Sequence, residues 1–290
     1  MLAGNINCPP SVNFTDYLSE PVSNDFKFAH VSAGIVDKAI MQIAPKTSSG
    51  IDGLSMKFLR SIKDVLTLPM ATLINQIFDS GIFPTKMKSA KIIPIYKKDD
   101  ATKIENYRPI SLLLSFSKIV EKVMLLQLDH HFLSLNLYFN SQYGFRKGHS
   151  TEHAVLENID RLVNNLEQGA IPLNIYLDLS KAFDTLDHSI LLRKLQNYGI
   201  RGKALDLCSS YLSDRMQCVE FQGKLSNSLI IKTGVPQGSI LGPFLFLIYV
   251  NDFGRSTNMF SFIMYADDTT LSTTLCNNNL SNAKKNLLEN

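Results

Sequence analysis

Two adjacent carboxylates, Asp267 and Asp268, stand between two apolar half-strands, Phe260-Ser-Phe-Ile-Met-Tyr265 and Thr269-Thr-Leu271. A tight hairpin normally carries Asn-Gly or Asp-Gly at that place, because its central residues need positive φ. A pair of charges is an odd choice there unless a cation or hydrogen-bond donors meet them. Asp178 poses the same problem, since it interrupts the run Leu173-Asn-Ile-Tyr-Leu177 and Leu179, which reads as a mostly buried strand. Hard oxygen donors suit magnesium, and a magnesium pair can clamp the attacking and leaving oxygens of a phosphoryl transfer. The competing reading puts Asp267 and Asp268 at a solvated turn and gives Asp178 backbone hydrogen bonds.

The rest of the chain can house such a site. Its 290 residues suffice for one large domain or two subdomains, and 45% hydrophobic with 19% charged residues argues against disorder. The net charge of +3 does not by itself imply a nucleic-acid partner. Its distribution says more: between Lys86 and Arg108 seven basic residues face three acidic ones, a local net of +4. A solvated loop is the plain alternative there. The four cysteines form no CxxC pair, so no zinc site is expected, and a reduced intracellular protein is the simplest reading. No signal peptide is expected at the N-terminus, and the longest apolar run, Phe244 to Val250, is too short to span a bilayer.

Periodicity predicts an irregular lead-in over residues 1–27 and a helix over 31–43 that stops before Pro45. Helices follow at about 54–62 and 65–80, the second closed by Gly81. Lys91 to Tyr96 reads as a strand, with Pro94 marking an edge or bulge. Further helices are expected at about 116–137, 150–168, 188–198, 202–212 and 239–250. Gln217–Phe221 and Leu229–Lys232 look like a hairpin around Gly223. Asp187 reads as a helix N-cap, Asp184 as a surface or capping residue with help to the site as the alternative, and His130, His131, His149, His153 and His188 as structural.

Several blocks carry a resemblance. Tyr265-Ala-Asp-Asp268 resembles the signature hairpin of reverse transcriptases. Asp178-Leu-Ser-Lys-Ala-Phe183 with Asp184-Thr-Leu-Asp-His188 resembles the first catalytic block of LINE-type enzymes, and Gly234-Val-Pro-Gln-Gly-Ser-Ile-Leu-Gly-Pro243 the block between the two. Asn106-Tyr-Arg-Pro-Ile-Ser-Leu112 and Gln142-Tyr-Gly-Phe-Arg-Lys-Gly148 are similar to two fingers blocks, and Ser49-Gly-Ile-Asp-Gly53 to the extra N-terminal block of non-LTR (jockey- and CR1-type) enzymes. Single blocks are weak signals, but six in sequence order are very specific.

The resemblance implies an α+β right-hand polymerase. It implies an irregular and helical extension over 1–45, fingers over 46–170 with a nucleotide-binding basic loop at 86–108, and a palm over 171–290 whose antiparallel sheet is backed by helices. A thumb and primer grip are expected to be missing. Asp178 and Asp267 would bind two Mg2+ ions with the Leu179 carbonyl, and Asp268 would be an auxiliary acid. Phe183 matches the steric gate that excludes a ribose 2′-hydroxyl, with a core aromatic as the alternative. Gln237 and Gly238 would lie under the incoming nucleotide, and Arg108 with Lys97 or Lys98 would hold its triphosphate. Gly144 and Arg146, with Phe145, would track the template. The implied partners are an RNA template, a DNA primer and dNTPs, with no membrane, and nuclear and cytoplasmic location follows from the family alone. A viral RNA-dependent RNA polymerase would place an acid where Phe183 stands and Gly where Ala266 stands. A group II intron maturase is closer, but the block from Asp178 to His188 favours LINE-type elements. The alternative from another class is a non-catalytic remnant that binds nucleic acid at most.

Overall fold

In the computed structural model the described residues are 14–275. The helical patterns of the first third become α1 (Ala33–Gln42), α2 (Met56–Ser61) and α3 (Lys63–Ser80). Strands β1 (Ser89–Tyr96) and β2 (Tyr107–Leu113) follow, then the long α4 (Ser115–Ser134) and α5 (Thr151–Glu167). Next come β3 (Ile171–Leu177), α6 (His188–Asn197), α7 (Lys203–Leu212), β4 (Arg215–Phe221), β5 (Lys224–Leu225) and β6 (Leu229–Ile231). The last elements are α8 (Gly242–Val250), β7 (Ser261–Tyr265) and β8 (Asp268–Leu275). The result is a mixed helix-and-sheet protein. Among the described residues no helix is long and apolar enough to cross a membrane.

Two compact units emerge, neither continuous in sequence. The larger comprises Leu18–Leu137 and Phe183–Tyr249. Its sheet runs β2-β1-β4-β5, with β6 also paired to β4. Strand β1 pairs with β4 only over Ser89–Ile92, so Pro94, which cannot donate to a ladder, lies beyond that pairing and faces Pro109 on β2. The core centres on α4, where Ile119, Val120, Met124, Leu128 and Phe132 are fully buried. The Phe132 ring meets Tyr198 and Phe244 at centroid distances of 5.1 and 5.2 Å.

Two polar residues break that apolar pattern. Glu121, one position after Val120, is also fully buried. Its carboxylate accepts from the Ser117 hydroxyl at 2.9 Å and from the Ile240 and Leu241 amides at 2.8 and 3.2 Å. It therefore caps the entry to α8, while the Ser239 hydroxyl accepts from the Gly242 amide at 3.0 Å. These caps explain why α8 starts at Gly242, later than the periodicity predicts. Lys194 is buried on α6 and donates to the Tyr249 carbonyl.

The smaller unit comprises Phe14–Tyr17, Tyr138–Ala182 and the described residues after Tyr249. Its sheet has the order β3-β8-β7, antiparallel throughout. Helix α5 lies against it: Arg161 donates to the Phe262 carbonyl, and Asn174 on β3 donates to Asn158 at 3.0 Å. The free thiols of Cys208 and Cys218 are buried in the larger unit, and burial pushes the Cys208 thiol up to about 12.

Candidate active site

The hairpin of the smaller unit is built as a two-residue turn. Tyr265 pairs with Asp268, leaving Ala266 and Asp267 as the central residues. Ala266 has a φ of 57°, the left-handed region that a side chain makes costly by about 1–2 kcal/mol. Neighbouring strand β3 is registered so that Leu177 faces Thr269 on β8. One further step of that register sets Asp178 opposite Asp268. The three carboxylates thus share one end of the sheet.

Their environment corrects one expectation. Asp178 lies just past the end of β3, and it is exposed, as are Leu179 and Asp268, while Asp267 is half-buried. The strand is shorter than its apolar pattern suggests, so no burial cost forces a counter-ion on Asp178. Among the described residues no three His, Cys, Asp or Glu side chains gather closely enough to hold a metal ion. At this accessible sheet end stand the oxygen donors of the Asp178 and Asp267 carboxylates. Such a set fits magnesium in chemistry.

The segment from Gln142 lies along β7. Met264 donates to the Ser141 carbonyl at 2.8 Å, and Tyr143 donates to the Met264 carbonyl at 2.7 Å. Gly144 then presses on the turn: a Cβ there would sit 2.1 Å from the Ala266 nitrogen. Arg146 donates to the Phe139 and Gln142 carbonyls at 3.0 and 3.1 Å, with its guanidinium 4.9 Å from the Tyr138 ring centroid. Phe145 is exposed. Gly144 and Arg146, read from sequence as template contacts, thus have structural work in their own unit.

In the larger unit, the block after Asp178 is knit to the block around Gln237. Val235 and Gly234 donate to the Phe183 and Leu186 carbonyls at 2.8 Å each, and His188 bonds the Gly234 carbonyl at 2.7 Å. The Phe183 ring stacks on Phe246 of α8, centroids 4.8 Å apart. The Gln237 amide donates to both oxygens of Asp184, at 3.2 and 3.0 Å. Strand β2 meets this block, since Ser111 donates to the Gln237 carbonyl at 2.7 Å. Gly238 has a φ of 120°, and a Cβ there would lie 2.6 Å from the Ser111 carbonyl oxygen. The close approach that requires glycine is therefore met by protein backbone.

Arg108 sits on β2 opposite Ile95, three residues before Ser111, and is exposed. The ladder continues past β1, because Lys97 donates to the Asn106 carbonyl at 2.9 Å. Strand alternation then puts Lys97 on the face that carries Arg108, while Lys98 lies in the loop beyond. Two of the seven basic residues here are committed elsewhere: Lys91 is paired to Glu220 at 2.6 Å, and Lys88 is buried, which lowers its pKa through lost hydration. Asp187 caps α6 as expected, accepting from the Ser189 and Ile190 amides.

Residues 95–290 match the family model described as reverse transcriptase (RNA-dependent DNA polymerase). The chain belongs to the reverse transcriptase family. It is 30% identical over 248 residues to the probable RNA-directed DNA polymerase from transposon BS of Drosophila melanogaster, covering 82% of this chain and 26% of that protein. It is 30% identical over 266 residues to the RNA-directed DNA polymerase from mobile element jockey of the same fly, covering 89% and 29%. The probable RNA-directed DNA polymerase from transposon X-element of Drosophila melanogaster is 26% identical over 238 residues, covering 82% of this chain and 26% of that protein. The resemblance to enzymes of non-LTR retrotransposons thus holds along most of the chain. The chain spans about a quarter of the length of these relatives.

Three residues of this reverse transcriptase domain have partners that the sequence did not show. Glu121 looks like a solvated position on a helix, and only its partners more than a hundred residues away reveal it. Asp184, which the sequence offered either as a helper of the site or as a surface or capping residue, engages Gln237. Gln142 heads its block and turns out to contact the carboxylate turn.

Proposed function

We propose that this chain is the fingers and palm of an RNA-directed DNA polymerase, which joins dNTPs to a primer 3′-hydroxyl with RNA as template. The observation that carries the reading is the register of β3 against the β7–β8 hairpin, which brings Asp178 to the same sheet end as Asp267 and Asp268.

Asp178 and Asp267, with the Leu179 carbonyl, would hold two Mg2+ ions, and Asp268 would add negative charge beside them. Bound there, the metal would lower the charge repulsion between a primer 3′-oxygen and the α-phosphate and stabilise the departing pyrophosphate. Arg108 and Lys97, on one face of the β1–β2 hairpin, would grip the triphosphate, with Lys98 as a looser contact in the loop. Gln237 and Gly238 would line the space below the incoming nucleotide, with Asp184 steadying the Gln237 amide. Gly144 and Arg146 would shape the loop past which the template runs. Base pairing, with no base-specific protein contact, would choose the nucleotide.

Phe183 would be the sugar gate, its ring held in place by the stack on Phe246. Phe183→Val is then expected to raise ribonucleotide incorporation relative to deoxyribonucleotide incorporation by up to about a hundredfold. Competition between rNTP and dNTP in single-nucleotide addition checks this, and unchanged sugar selectivity would remove Phe183 from the gate. The overall reading is tested by template dependence. With poly(rA) annealed to oligo(dT) and Mg2+, the chain should add dTMP, should refuse dGMP, and should add nothing when the RNA is omitted. Addition that ignores the template would overturn it.

A further inference from the structure

The turn that carries Asp267 is strained at Ala266, and the structure shows what holds it. Gln142 is 2% exposed. Its side-chain oxygen accepts from two backbone amides, Gly144 at 2.8 Å and Ala266 at 3.0 Å, and its side-chain nitrogen reaches the Ala266 carbonyl at 3.5 Å. One side chain therefore holds both ends of the residue that sits in the left-handed region. Antiparallel pairing of β7 with β8 leaves the Ala266 amide outside the ladder, which closes at Tyr265 and Asp268. A buried amide without a partner costs about 1–3 kcal/mol, so Gln142 removes a penalty that would otherwise favour another turn. Gly144 contributes in a different way: with no side chain, it lets its segment come close enough to the turn for Gln142 to reach.

We propose that Gln142 is a positioning residue for the catalytic turn, whose amide locks the Ala266 peptide units and thereby fixes where the Asp267 carboxylate points. This rests on the reading of Asp267 as a metal ligand. Gln142 touches neither substrate nor metal in this account. Its effect passes through one residue of backbone, from the Ala266 amide and carbonyl to the adjacent Asp267. Partners of this second kind set the orientation of metal-binding carboxylates, and their loss weakens metal affinity by about 10- to 100-fold.

The test uses Mn2+ as a spin-active substitute for Mg2+, titrated into the full chain without nucleic acid and followed by electron paramagnetic resonance. Four proteins are compared: wild type, Asp267→Asn, Gln142→Met and Gln142→Glu. The methionine keeps the length and loses the acceptor, whereas the glutamate can still accept from both amides. Gln142→Met is expected to weaken Mn2+ binding about tenfold and to speed hydrogen exchange of the Ala266 amide, with Gln142→Glu staying within about threefold of wild type. A thermal unfolding curve on each variant separates this from loss of fold, and hydrogen exchange at Ala266 still reports the turn if Gln142→Met is less stable. If Asp267→Asn weakens Mn2+ binding and Gln142→Met does not, the positioning role is overturned while the metal reading stands. If Asp267→Asn leaves Mn2+ affinity unchanged, the metal reading falls and this inference with it. Weaker primer–template binding by Gln142→Met at unchanged Mn2+ affinity would also overturn it, by assigning the segment to the template.

Discussion

Replacing Glu121 by alanine is expected to destabilise the larger unit by about 3 kcal/mol or more. The carboxylate is fully buried and satisfies the Ser117 hydroxyl and the first free amides of the α8 entry. Alanine leaves the Ile240 and Leu241 amides without an acceptor, and each such loss costs about 1–3 kcal/mol. It also removes a negative charge from a helix N-terminus, where about 0.3–1 kcal/mol of favourable dipole interaction resides. The cost is large against a typical total stability of about 5–15 kcal/mol. Glutamine in its place keeps an acceptor oxygen for the amides, and Ser117 can turn its hydroxyl to accept from the new NH2 group. Glu121→Gln should therefore retain most of the stability. Urea unfolding of the two variants beside wild type is the measurement, and a loss below about 1 kcal/mol for alanine would contradict the capping role.

The consequence reaches the proposed nucleotide site. The residues held by Glu121 directly follow Gln237, Gly238 and Ser239, and Gln237 is in turn bonded to Asp184 and Ser111. A loosened α8 entry would loosen all of these together. Glu121→Ala is thus expected to raise the apparent KM for dNTP even at temperatures where the chain remains folded.

Much of the secondary structure was readable from local signals. Apolar spacing marked the helices of the first half, Gly81 closed α3, and Asp187 announced the start of α6. The block order likewise announced the family, because six short blocks in one order are together very specific. Long-range partners were not readable. The apolar run through Leu179 suggested a strand with Asp178 inside it, but the ladder stops at Leu177, where pairing with β8 meets the turn. The expected hairpin after Gln217 holds an extra fold: Gln222 and Gly223, both with positive φ, return β4 onto the two-residue β5 before β6 pairs. Gly144 was expected to track the template and Gly238 to lie under the incoming nucleotide; both also press on protein backbone, supplied by residues more than a hundred positions away. Local pattern could identify these residues as special without saying what presses on them. Nor could periodicity show that residues 138–182 leave the larger unit and join the strands after Tyr249, since that depends on pairing between β3 and β8.

The carboxylates themselves carry the other large effect. Asp267→Asn keeps the shape of the side chain and one acceptor oxygen, and it removes the charge that a divalent ion needs. With several kcal/mol of transition-state stabilisation assigned to the metal, polymerisation should fall by about a thousandfold, with the unfolding midpoint unchanged because Asp267 is only half-buried at a turn. The measurement that bears most directly on the account is extension of a DNA primer on an RNA template with dNTPs and Mg2+, run side by side for wild type and Asp267→Asn. The account predicts extension by the wild type and its loss in the variant. Equal extension by both proteins would contradict the proposed active site, and no extension by either would move the activity to a longer polypeptide that contains this stretch.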